Sequence, residues 1–223
     1  MGRDCVLSTA WEKVFRAVQE RRRLTLFLSV ISRLTIGSFF LLSVILFWNS
    51  YVKTGSITAL LWIVSEGLII LLTLLRRMST SISPKPVDWF LGFAGTFLVL
   101  LVRPTGQGLV QDEVGSVFQL AGTFLSIYGK LSLGRSFGIV PANRGVVTRG
   151  PYRLIRHPIY FGYFVTHLGF LVANTSIRNL ALYSFAYIFQ IWRILAEERV
   201  LRIDQGYTDY CRRVRFRLIP RLF

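Results

Sequence analysis

Six apolar runs punctuate the chain, at roughly 24–48, 57–75, 87–102, 114–133, 159–173 and 177–195. About 20 apolar residues in a helix suffice to cross a hydrocarbon core. The pattern predicts an all-α polytopic membrane protein of about six transmembrane helices, or five if one run lies in the interface. The third, fifth and sixth runs are short or spotted with polar residues. Only Asn174-Thr175-Ser176 separates the last two, which predicts a tight helical hairpin. We divide the chain into N-terminal membrane spans, 1–132, and a C-terminal region, 133–223, holding the hairpin and an interfacial tail. No internal repeat or low-complexity stretch interrupts this plan.

Charge orients the plan. The 223 residues carry a formal net charge of +16 while 52% of them are hydrophobic. If the N-terminus is cytoplasmic and every run crosses, about 22 Lys and Arg fall in cytoplasmic segments against three outside, Lys53, Arg103 and Arg178. Both termini are then expected in the cytoplasm, with a prokaryotic inner membrane as the location. A nucleic-acid partner is not expected, because the cations interrupt apolar runs and do not line one water-facing stripe. Arg33, Glu66 and Lys130 lie inside runs, where snorkelling or interhelical pairing accounts for them as well as function does. Cys5 and Cys211 are far apart and read as free thiols. No cleavable signal peptide is read at the N-terminus, which is polar through Arg21-Arg22-Arg23.

Three stretches carry candidate chemistry. In "RGPYRLIRHPIYFGYF", 149–164, cations end at the lip of an apolar segment. Pro158 suits the first position of a helix, which makes His157 its cap. The free N–H groups of that helix start, with Arg156 and His157, form an anion cradle for carboxylate or phosphate. Anchoring to acidic headgroups is the simpler use of the same arginines. The Gly150-Pro151-Tyr152 turn, the aromatic Tyr160, and Gly162 as a point of close backbone approach favour a built site. In "IWRILAEERVL", 191–201, Arg193 and Glu197 share a helix face, and Glu198 points about 100° away. In "GYTDYCRRVRFRLIPRLF", 206–223, Tyr207 and Tyr210 share a face, and the arginines suit an interfacial segment. His157 and His167, the only histidines, stand about 15 Å apart along a helix, too far to share a metal, and no metal site is expected.

Taken in order, "GPYRLIRHPIYFG", "AEERVL" and "GYTDYCRRVRFRLIP", with "LGRSFGIVPANRGVVTRGPYR" upstream, resemble the isoprenylcysteine carboxyl methyltransferase family. The wider membrane group includes phospholipid N-methyltransferases. The resemblance implies an integral membrane methyltransferase that uses S-adenosylmethionine and a lipophilic methyl acceptor, with its cofactor pocket at the cytoplasmic face. It further implies that Tyr152, Arg156, His157, Tyr160, Gly162, Glu198, Tyr207 and Tyr210 hold the cofactor, while Arg193 and Glu197 serve catalysis. Membrane sterol and steroid reductases share a similar histidine-proline-x-tyrosine pocket but bind NADPH. A membrane reductase is therefore the alternative, and a non-catalytic lipid-binding protein the second.

Overall fold

The computed structural model describes the backbone of residues 3–219 other than 56, 80, 84 and 104–106. Side chains are described over that range except 3–18, 21–22, 50, 54, 57–59, 61 and 81, so Cys5, the first basic residues and the final Pro220-Arg221 lie outside it. All six apolar runs are helices: α1 (Arg3–Thr54), α2 (Ile57–Leu75), α3 (Pro86–Leu100), α4 (Asp112–Leu133), α5 (Pro158–Ala173) and α6 (Ile177–Leu201). A short α7 (Gln205–Arg213) follows. Within α1 and the other described helices, only Arg23–Lys53 is long and apolar enough to cross a membrane on length and composition alone. α3 and α5 have 15 and 16 residues, short of the 20 or so that a perpendicular crossing takes.

Local signals set the boundaries. Pro86 and Pro158 open α3 and α5 at the position where a missing N–H costs nothing. Ser176 caps α6 by accepting from Asn179 N, and Asp204 caps α7 by accepting from Gly206 N. Gly55, at φ +64°, ends α1 in a conformation that L side chains rarely adopt.

Packing departs from the expected hairpin. The connection between α5 and α6 is as short as anticipated, but the two helices diverge from it. α5 lies along α4, and α6 lies along α3. The cause is a small-residue stripe. A Cβ at Gly122 would lie 2.5 Å from Gly162 O, and one at Gly169 would lie 2.6 Å from Gly115 O. Glycines seven residues apart on both helices bring the backbones of α4 and α5 into direct contact. α6 instead answers to α3, where Arg199 Nη2 meets Asp88 Oδ1 at 2.7 Å and Oδ2 at 2.9 Å.

The connections sort to two ends. At one, β1 (Ser81–Ile82) pairs antiparallel with β2 (Ala142–Asn143), Ser81 opposite Asn143, and Arg77 N donates to Arg135 O at 2.7 Å. The tail joins this end, with Arg156 N donating to Phe216 O and His157 N to Arg217 O, both at 2.9 Å. At the other end Gln107 pairs with Thr175, and buried Asn179 donates to Arg103 O at 2.8 Å and Asn174 O at 2.9 Å. The two sets are those separated by the charge count.

Candidate functional site

Because α5 and α6 diverge, a cavity opens between the α2–α4–α5 side and the α3–α6 side. At the β1–β2 end its wall is polar and aromatic, with Tyr152, Arg156, His157, Arg144, Tyr207 and Tyr210. Arg193 and Glu197 enter from α6. Further in, the lining turns apolar, with Phe40, Ile69, Val99 and Leu100. It reaches Trp62, about 20 Å along α2 from its Leu75 end.

One face of α5 forms a continuous wall. His157, Tyr160, Tyr163 and His167 follow at helical spacing, with ring centroids 5.7, 6.4 and 6.2 Å apart in turn. His167 stacks on Tyr183 at 5.0 Å, and its Nδ1 lies 2.8 Å from the Tyr187 hydroxyl. It is a packed, cavity-lining residue. Among the described residues no group of His, Cys, Asp and Glu is arranged to hold a metal.

Eight of the ten expected site residues line this cavity: Tyr152, Arg156, His157, Tyr160, Arg193, Glu197, Tyr207 and Tyr210. Tyr160 donates a short hydrogen bond to Glu197 Oε1, which also accepts from Arg193 Nε at 3.3 Å. The Arg193 guanidinium lies over the Tyr160 ring, 5.2 Å from its centroid. Tyr207 and Tyr210 pack with their centroids 5.8 Å apart, and the Tyr210 hydroxyl donates to Tyr152 O at 2.7 Å. The α7 cap is thereby tied to the Gly150–Arg153 turn.

The other two expected residues stand outside the cavity wall. Gly162 does not face the cavity. A Cβ there would lie 2.6 Å from Ser126 N on α4, so its close backbone approach is to a neighbouring helix. Glu198 is 2% exposed and also lies off the cavity. Its Oε1 meets Arg156 Nη1 at 2.8 Å and His157 Nε2 at 3.3 Å, while Oε2 meets Arg217 Nε at 3.1 Å and Arg202 Nη2 at 3.2 Å. Burial pushes the Glu198 carboxyl up. The hydrogen bond and charge of His157, then Arg156 and Arg217, outweigh it and hold the pKa at about 2. The expected anion cradle is consequently half occupied: Arg156 is committed to Glu198, with Nη2 on Arg215 O at 2.8 Å and Nη1 3.3 Å from the free thiol of Cys211.

Buried donors and acceptors without partners mark what the cavity still lacks. They are Arg144 Nε and Nη2, Arg156 Nε, Gln190 Oε1 and the Tyr207 hydroxyl. Burial, then the Glu198 charge, pushes the Tyr207 hydroxyl up, so it stays protonated as a donor. Burial lowers Arg144 to about 10, Glu197 opposing and Arg33 adding to the shift, and the group remains a cation. Gly138 makes room for it, since a Cβ there would lie 2.3 Å from Arg144 Nη1. Arg144, Gln190 and Tyr163 line the cavity without having been named as site candidates, and so does Glu66, which the sequence marked only as a charge inside an apolar run. Arg144 lay within the quoted "LGRSFGIVPANRGVVTRGPYR". Gln190 stands three residues before Arg193 on the same face, a spacing that could have found it.

Comparison with known proteins falls on this region. No curated protein matches the chain. The structure of a eukaryotic intramembrane Ras methyltransferase, isoprenylcysteine carboxyl methyltransferase, aligns over 97% of this chain and 86% of its own, with 19% sequence identity and a TM-score of 0.44. Residues 113–205 match the family model of phospholipid methyltransferases, so the resemblance read from the motifs is borne out over the helices that carry most of the cavity wall.

Proposed function

We propose that the chain is an integral membrane methyltransferase, similar to protein-S-isoprenylcysteine O-methyltransferase, that uses S-adenosylmethionine to methylate a lipophilic acceptor. The observation that carries this reading is a single cavity whose polar end holds buried, unpartnered hydrogen-bonding groups and whose inner end is apolar. The polar end suits the cofactor. Arg144 and the Tyr207 hydroxyl offer donors to a carboxylate or a ribose, and the Tyr152–Tyr207–Tyr210 cluster offers an aromatic surface. Glu197, its side chain 18% exposed, offers a carboxylate to the cofactor's cationic groups. When bound, S-adenosylmethionine supplies a methyl group on a sulfonium sulfur.

The residues of this chain would align and exclude water. Displacement at a methyl carbon needs an in-line approach and no covalent intermediate on the enzyme, so alignment and desolvation carry the rate. Among the described residues Arg193 bonds through Nε alone. Its remaining donors, with Gln190 Oε1, can orient a polar acceptor head, while the apolar gallery takes the lipid tail. Glu197 and the face of Tyr160 fix the Arg193 plane. We place the polar end, both termini and the tail on the cytoplasmic side with six crossings, supported by the agreement between the charge count and the two sets of connections.

Calorimetric titration of the detergent-purified chain with S-adenosylhomocysteine and with NADPH tests the reading. Micromolar binding of the first and none of the second is the expected result. Binding of NADPH alone would establish the reductase alternative, and binding of neither the lipid-binding one.

A further inference from the structure

The C-terminal end of α2 meets α1 and the end of α4 in a second cavity, separate from the site above. Arg33, Arg76, Arg77 and Arg135 line it, with Leu74, Leu75 and Met78. No acidic residue is among them. Part of this charge has a local task. Arg33 donates from Nη1 to Leu74 O at 2.9 Å and from Nη2 to Arg76 O at 3.0 Å, and Arg135 Nε donates to Leu75 O at 3.1 Å. Helix ends leave such carbonyls open, and cations satisfy them.

That task leaves Arg76 and Arg77 unexplained. Arg76 is 2% exposed. Its Nη2 donates to Ser29 O at 2.9 Å and to the Ser32 hydroxyl, but Nε and Nη1 are buried without a partner. Burial, then the charges of Arg144 and Arg33, lowers its pKa to about 9. A guanidinium does not relieve such stress by losing its proton; an anion relieves it. Arg77 is exposed and makes no side-chain bond among the described residues. Four arginines thus line one cavity, and one of them, buried Arg76, keeps two donors without acceptors among the described residues.

The surroundings choose among anions. Leu74 is 57% exposed, Leu75 54% and Met78 48%, and on α1 the neighbouring Val30 and Leu34 are 53% and 66% exposed. A free phosphate would leave that apolar surface bare. A phospholipid covers it with acyl chains while its phosphate meets the arginines, and basic clefts between helices at the cytoplasmic leaflet recognise lipids in this way. We propose that Arg33, Arg76, Arg77 and Arg135 hold the headgroup phosphate of an anionic phospholipid whose acyl chains lie against Leu74, Leu75 and Met78. The site is distinct from the methyl-transfer cavity and does not depend on the reading of that cavity.

The test uses the full chain in a neutral detergent, with dioctanoyl phosphatidylglycerol, dioctanoyl phosphatidylcholine and inorganic phosphate as probes. Native mass spectrometry counts bound lipid, and the rise in melting temperature with concentration gives an affinity. Phosphatidylglycerol should bind saturably at one per chain, and at least tenfold more tightly than either other probe. The R77Q/R135Q double variant changes two exposed side chains, so it should fold and should bind phosphatidylglycerol tenfold or more weakly. R212Q/R213Q removes the same charge from α7 and should bind like the parent. R76Q should weaken binding further; if it does not fold, the double variant decides. Equal binding of phosphatidylcholine, equal stabilisation by inorganic phosphate, unchanged affinity in R77Q/R135Q, or an equal loss in R212Q/R213Q would each overturn the proposal.

Discussion

Glu197 and Glu198 are neighbours in the chain and opposite in use. Glu198 is closed: three arginines and His157, from three segments, converge on it, and 2% of its surface is exposed. Glu197 is open: it touches Tyr160 and Arg193 and faces the cavity. The 100° step between successive helical residues puts one carboxylate against the tail and the other against the ligand space. The closed site is saturated and fixes the walls: it clamps the lip before α5, the end of α6 and the tail at Arg217 into one body. The open site stands among groups still lacking partners. A cationic motif next to two glutamates is therefore two devices, and satisfaction of hydrogen bonds tells them apart.

The sharpest break of this contrast is Glu198→Gln. It strips the charge that Arg156, His157, Arg202 and Arg217 share and leaves Arg156 buried without compensation. Removing one partner of a buried ion pair costs about 3–5 kcal/mol, so the variant should melt far below the parent in a nanodisc. Glu197→Gln keeps an amide oxygen for Tyr160 and Arg193 at a side chain that is 18% exposed, and should lose clearly less than Glu198→Gln. Equal melting of the two variants would erase the distinction between a structural and a ligand-facing carboxylate.

Acid should break the closed site as the mutation does. The Glu198 pKa is depressed in the fold, so its contribution is complete above the unfolded carboxyl value of about 4.3 and is lost as pH falls toward the folded value of about 2. A depression of that size corresponds to about 3 kcal/mol. The parent should lose stability between about pH 5 and pH 2 more steeply than Glu198→Gln, measured as the difference in melting temperature at each pH. Parallel curves for the two proteins would remove the ion pairs as its cause.

The open site is sharpened by Arg193→Lys. Lysine keeps the charge but loses the planar fork that Glu197 and the Tyr160 ring hold. If Arg193 orients the acceptor, methyl transfer falls by about tenfold or more, while S-adenosylhomocysteine affinity changes by less than about threefold. A parallel loss of both would make Arg193 part of the cofactor's own binding surface.

How much of this was legible in the sequence follows from what each signal measures. Hydrophobic runs located every long helix, because burial in lipid or protein selects apolar residues continuously, and Pro158 marked the start of α5 within one residue. Motif resemblance collected eight lining residues. It set Gly162 beside them, but glycine marks a close approach without naming the partner, and here the partner is Ser126 on α4. It did not show that Glu198 stands off the cavity wall, because pairing with Arg217, nineteen residues on, depends on how the tail folds back. The helix partners of α5 and α6 were hidden for the same reason. A short connection suggests neighbours, yet the glycines of α4, more than thirty residues upstream of α5, set the closest contact.

The smallest expected effect comes from one oxygen. The Tyr207 hydroxyl is buried in the cavity wall and has no partner among the described residues. Without ligand, Tyr207→Phe removes an unsatisfied group and keeps the ring that packs with Tyr210 and Tyr152. Stability should hold or rise by up to about 1 kcal/mol, since a buried donor left unmade is a cost. If the cofactor meets the hydroxyl as proposed, its loss removes one hydrogen bond of about 0.5–1.5 kcal/mol, roughly two- to tenfold in affinity. The two measurements thus move in opposite directions, melting temperature up or level and S-adenosylhomocysteine affinity down. A fall in melting temperature with unchanged affinity would mean that the hydroxyl serves the fold, which would return Tyr207 to the closed side of the comparison beside Glu198.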